Sequence, residues 1–344
     1  MAVVSTSGQS FSVDGRRLWL VGAQLDYARI PASAWAERLH IIKEAGFNTI
    51  QTASPWLLHE PRKGKFNFKD SADVGHFCSL AAECGLNVLL QVGPSVGHSF
   101  DGGGLPYWLT LEDDVLLRSG TGLFMQHATK YLSRLISQIL DLQMTKGGPI
   151  VAMQIENAWE CSNEEESARY IGELSRFLRE SGITIPFTNA NDLWAPDHGS
   201  VHTWRSQGQQ LSDLRQLRML QPEAPRLVSS LPLANTALLT ESTEVKSGGL
   251  EMQRQIAEIL AAGGQFVLDH VHGGTNFGFL AGRLAGGEDR FVATAAVDGP
   301  LVGEAGIPTK GCLSFGESRR SHRVSGMCSV ILIPTFSQWL ALSE

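Results

Sequence analysis

Apolar residues recur along this chain with two alternating periods. The runs at residues 18–24, 87–92 and 150–155 are short and largely apolar, which predicts strands, the last of them buried, and 48–52 is read as a further strand. Between them the spacing lengthens. Trp35, Leu39 and Ile42 fall at i, i+4 and i+7 on one face of a predicted helix that stops at Gly46. Further helices are predicted over 70–84 and 123–142, and Ile171, Leu174 and Leu178 mark another, closed by Gly182. Strands are predicted at 185–188, 201–204 and 226–229, and a helix over 250–262 leads into a last strand at 265–271.

Eight strand segments separated mainly by helices predict an α/β fold of the (β/α)8 TIM-barrel type. The alternative, an open doubly wound sheet, lacks its usual marks, since no GxGxxG and no phosphate loop occurs. The alternation ends near Lys310. Beyond it come a basic stretch, Glu317-Ser318-Arg319-Arg320-Ser321-His322-Arg323, and an apolar segment at 331–339 without a helical period. The eighth helix is therefore poorly defined. The expected organisation is one barrel over residues 1–310 and a divergent tail, not a separate domain, over 311–344.

Composition narrows the partners. The chain has 344 residues, 43% apolar and 18% charged, with a net charge of -7, so a large core is expected and a basic nucleic-acid stripe is not. No apolar run approaches the ~20 residues that cross a bilayer. The first dozen residues lack the basic and apolar regions of a signal peptide, so a cytoplasmic location is expected. Five cysteines show no paired ligand spacing, and His98, His202, His270 and His272 have no metal-binding period. Neither a metal nor a cofactor is implied.

The polar cluster that closes the fourth strand, Gln154-Ile155-Glu156-Asn157-Ala158-Trp159, is the first candidate for chemistry, because strand ends of a barrel converge on one face. Ordered motifs then point to a family. They include Asp14-Gly15, Tyr27-Ala28-Arg29-Ile30-Pro31, Pro55-Trp56 with His59-Glu60-Pro61, and Gly93-Pro94. Gly103-Gly104-Leu105-Pro106, Gly147-Gly148-Pro149-Ile150 and Gly273-Gly274-Thr275-Asn276-Phe277-Gly278 continue the series. Over roughly residues 10–310 the chain resembles the family 35 glycoside hydrolases, the β-galactosidase family.

The resemblance implies a retaining mechanism with one glutamate as acid/base and a second as nucleophile, their carboxyls about 5–5.5 Å apart. It places the acid/base position at Ala158. Reading on from Gln221-Pro222-Glu223-Ala224-Pro225 places the nucleophile position at Ser230. Neither carries a carboxylate. Other sugar-binding positions differ too: Ala53 and Asp269 stand where the family has Tyr, and Ser99 where it has Glu. Gln51, Glu156 and Asn157 are kept.

Two readings follow. In one the protein is a carbohydrate-binding or degenerate homologue. In the other it is an active O-glycosidase on a sugar unlike galactose, with carboxylates supplied from Glu156, Glu160, Asp269 or Glu241. Glu241 could close a strand running through Thr236 to Thr240, or else sit in a loop. Asp269, on an otherwise apolar strand, must find partners or carry a raised pKa. Trp159 and Trp194, after strand ends, are candidates to stack on a pyranose, and His98 and Ser99 to contact it. Trp56 and Trp108 are expected to pack.

Overall fold

The computed structural model describes residues 2–6, 10–97, 100–160, 163–191, 199–206, 208–232, 235–238, 249–276, 278–284, 290–298 and 301–308. Eight parallel strands close into a barrel: β1 (Val21–Gln24), β2 (Thr49–Ala53), β3 (Asn87–Gly93), β4 (Ile150–Ile155), β5 (Phe187–Asn189), β6 (Ser200–Arg205), β7 (Leu227–Pro232) and β8 (Gln265–Asp269). They pair in chain order, and β8 returns to β1 through Phe266 opposite Val21. Each predicted strand is present within a few residues. β2 and β4 are buried along their whole length, which is what layers on both faces of a parallel sheet require.

Besides the single α-helical turn Trp56–His59, six longer helices are described around the barrel: α1 (Trp35–Glu44), α2 (Val74–Glu83), α3 (Gly122–Ile139), α4 (Glu164–Glu180), α5 (Gln210–Leu220) and α6 (Gly249–Ala261). The predicted helix at 70–84 breaks at Asp73. That carboxylate accepts from the His76 N–H at 2.8 Å and caps α2, leaving 70–72 as a 3-10 turn. α5 gave no clear signal in the sequence. It buries Gln210 and Asp213 beside Leu214 and Leu217 while Leu211 and Met219 stay exposed, so its apolar stripe is broken. Among the described residues only a 3-10 turn, Gly278–Leu280, and no α-helix follows β8, and the tail at 311–344 lies outside them.

The predicted strand at 18–24 divides in two. Arg16–Leu18 pairs back on Phe11–Val13 through the Asp14-Gly15 turn, whose residues both have positive φ (51° and 75°), and Val4–Ser5 adds a third strand. This small sheet plugs the base of the barrel. Phe11 and Leu20, both fully buried, pack on Leu89, Val151, Ala152, Leu227 and Val267. A second antiparallel sheet, built on Arg290–Asp298 with Asn235–Leu238, Gly274–Thr275 and Gly282–Leu284, grows from the loops after β7 and β8. The strand at 235–238 thus belongs to this sheet and not to the barrel, and Glu241 lies outside the described residues.

Candidate functional site

The C-terminal ends of the strands converge on a cavity of about 50 Å³. Four glutamines, Gln24, Gln51, Gln91 and Gln154, come from β1 to β4, Ser229 and Ser230 from β7, Arg205 from β6 and Asp269 from β8. Asn157, Gly97, Ala190 and His270 complete the rim with Val96. The amides are fixed by bonding to one another and to backbone. Gln91 Nε2 donates to Gln154 Oε1 at 3.2 Å, Gln154 Nε2 to the Glu156 carbonyl at 3.0 Å, and Gln51 Nε2 to the Ser229 carbonyl at 3.1 Å. The glutamine side of the wall is polar and held in place.

Ser230 sits between two charged neighbours. Across β6 its Cα partner is Arg205, and on the other side its hydroxyl donates a short hydrogen bond to Asp269 Oδ2. Burial lifts the Asp269 carboxyl from the ordinary range to about 7, with the Asp26 charge adding to the rise. The Ser230 hydroxyl and the Arg205 charge pull the other way without cancelling it. Asp269 Oδ1 is buried and has no hydrogen-bond partner among the described residues, and the same is true of Asn157 Oδ1. Asn157 is fixed through its other atom, with Nδ2 donating to the Val96 carbonyl at 3.1 Å. A Cβ on Gly97 would lie 2.6 Å from that nitrogen, so the chain approaches it through a bare glycine.

Glu156 lies behind this wall. It is 1% exposed, and its oxygens accept from the Ser95 N–H (3.1 Å), the Tyr170 hydroxyl (2.5 Å) and Arg118 Nε and Nη2 (3.1 and 2.6 Å). Arg118 also donates to the Asn157 carbonyl at 2.9 Å and covers the Trp159 ring at 4.9 Å. Trp159 does not line the cavity. Its indole N–H is given to Ser167, and its ring meets Tyr170 edge-on at 5.1 Å. Glu160 is exposed on the loop beyond. Trp56 is fully buried and stacks on Tyr131 at 5.1 Å, with Trp108 against its edge.

The backbone around the mouth is unusual. Arg118, Glu156, Ala158 and His270 all have φ between 50° and 58°, the left-handed region that L side chains disfavour. Ala158 is tied to β5 by its N–H, which reaches the Ala190 carbonyl at 3.3 Å.

The structure therefore brings Ser230, Asp269, Asn157 and Gln51 to one cavity, with Ala158 on the adjoining loop, and keeps Glu156, Glu160 and Trp159 out of it. His98, Ser99 and Trp194 lie outside the described residues. Arg205, Gln24 and Gln91 were not singled out in the sequence. Their common signal is a polar residue at or near the end of an apolar strand. Among the described residues no group of three or more His, Cys, Asp or Glu is placed to hold a metal ion.

This site sits at the C-terminal face of the barrel, and the family model for glycosyl hydrolases family 35 matches residues 10–310. The chain belongs to family 35. Within the family it is 31% identical over 328 residues to the human beta-galactosidase-1-like protein 3, covering 94% of this chain and 50% of that protein. Human beta-galactosidase-1-like protein 2 is 30% identical over 287 residues, or 82% and 45%. The chain thus spans about half the length of the curated relatives it matches. Barrels outside the family share the fold at low identity. A GH5_18 protein from Streptomyces cattleya, solved with GlcNAc, superposes with a TM-score of 0.66 at 12% identity over 93% of this chain and 82% of its own. The exo-beta-1,4-mannosidase Op5Man5 from an Opitutaceae bacterium gives 0.60 at 16%, over 92% and 61%.

Proposed function

We propose that this family 35 barrel binds a β-linked carbohydrate and has lost the double-displacement hydrolysis of its family. The acid/base position carries the methyl group of Ala158 and the nucleophile position the hydroxyl of Ser230. One observation carries the reading. The Ser230 hydroxyl is turned onto Asp269, and Asp269 is the sole carboxylate among the described residues lining the cavity. Retention needs two carboxyls about 5–5.5 Å apart, and inversion needs two at about 6.5–9.5 Å. Glu156 is occupied by Ser95, Tyr170 and Arg118, and Glu160 faces solvent, so neither supplies the second. What remains is a fixed ring of amides and hydroxyls, the kind of surface that hydrogen-bonds sugar hydroxyls.

A second reading has one observation in its favour. A carboxyl with a pKa of about 7 is poised for proton transfer near neutrality, and Asp269 has it. Both readings meet the same experiment, release of nitrophenol from a panel of aryl β- and α-glycosides by the native chain and by the Ala158→Glu/Ser230→Glu double variant. The expected result is a silent native chain and an active double variant. Native turnover that disappears in Asp269→Asn would overturn the binding reading in favour of relocated chemistry. Silence from both would remove support for the two assigned positions.

A further inference from the structure

Three polar groups face this cavity without a hydrogen-bond or ion-pair partner among the described residues, and they are not alike. Asp269 Oδ1 and Asn157 Oδ1 are buried acceptors that lack a donor. Arg205 is a half-buried donor that lines the same cavity, feels Asp269 electrostatically and forms no ion pair with it. The other two arginines beside the cleft are committed. Arg29 is paired with Asp26 and donates to Asn276 at 2.8 Å, and Arg118 holds Glu156.

An orphaned buried acceptor is costly until a donor arrives, and a guanidinium in a cleft is matched best by a planar carboxylate. A ligand that satisfies all three must bring hydroxyl donors and an acid on one small frame. We propose that the cleft selects an acidic saccharide, a hexuronic acid, whose carboxylate meets Arg205 while its hydroxyls donate to Asp269 and Asn157. This rests on the carbohydrate reading above.

The alternatives each leave a group unmatched. A neutral hexose supplies donors but no charge for Arg205. A simple dicarboxylate or inorganic phosphate supplies charge but presses acceptors against Asn157 Oδ1 and, once Asp269 has ionised above about pH 7, against Asp269 Oδ1. The cavity, at about 50 Å³, has room for roughly three waters, enough for an acid group and a neighbouring hydroxyl with the rest of the ring in the mouth. Serine at position 230 makes this possible. It stands between Arg205 and Asp269 around the barrel, and a glutamate in its place would itself neutralise Arg205.

The test is calorimetric titration of the 344-residue chain with methyl β-D-glucuronide, methyl β-D-galacturonide, the two corresponding neutral methyl glycosides, and succinate. The uronides are expected to bind about tenfold or more tightly than the neutral glycosides, since a charge-assisted pair replaces an unmatched donor. Arg205→Met should erase that preference while leaving Tm unchanged, because the side chain makes no hydrogen bond among the described residues. Ser230→Glu should erase it too, by filling the same guanidinium. Equal or tighter binding of the neutral glycosides would overturn the acid inference and leave the carbohydrate reading standing. Succinate binding as tightly as the uronides would overturn it as well, by reducing the site to an anion hole. No binding by any glycoside would bring down both.

Discussion

Asp269 is the residue whose environment departs furthest from water at the cleft. Its carboxyl holds a proton up to about pH 7 in the folded chain, whereas an unfolded aspartate releases it near 4. Between those values the native state binds more protons than the unfolded state. Stability therefore falls as pH rises from about 4 to about 7 and levels off above, with a slope of at most about 1.4 kcal/mol per pH unit. Asp269→Asn should flatten that segment. Urea midpoints of both proteins at pH 5 and pH 8 check it, and a wild-type advantage that grows toward pH 8 would show the sign to be wrong. Ser230 acts in the same place, since its hydrogen bond favours the charged form and partly offsets burial.

Elements were legible where burial and turn chemistry act locally. β3 and β4 are nearly apolar runs because the barrel covers both of their faces, whereas β2 is equally buried but carries Thr49, Gln51 and Thr52. The glycine motifs were legible for a steric reason visible in Gly147-Gly148-Pro149. A Cβ on Gly148 would land inside the backbone of Leu142, where the chain turns from the end of α3 into β4. Gly148→Ala is expected to cost about 3 kcal/mol or more, read as a lower urea midpoint with unchanged m-value. A neutral result would mean that the 140–149 turn repacks freely. What the sequence hid was long-range. α5 has a broken stripe because Gln210 and Asp213 are buried in it, and the hairpin strand Arg16–Leu18 reads as continuous with β1. Gln51 and Asn157 could be placed through family motifs. The idle guanidinium of Arg205 could not, since nothing local says whether an arginine at a strand end finds a partner.

At the scale of the whole molecule, base and mouth have separate duties. The N-terminal sheet closes the base with Phe11, which is fully buried among Leu20, Leu89, Val151 and Val267. Phe11→Ala should lower stability by about 3–5 kcal/mol, measured by denaturant unfolding, with affinity at the mouth intact below the transition. Loss of ligand affinity in the cold, folded variant would show that the two ends are coupled. The mouth obeys another rule. Four non-glycine residues around it, Arg118, Glu156, Ala158 and His270, are held left-handed against their own preference, at about 1 kcal/mol or more apiece. The Ala158 N–H reaches the Ala190 carbonyl, so its turn is held from the loop after β5. The mouth is a spring wound by the barrel. On heating or partial denaturation its loops will slacken before the strands part, and the shape of the cleft will vanish while most of the fold is still standing.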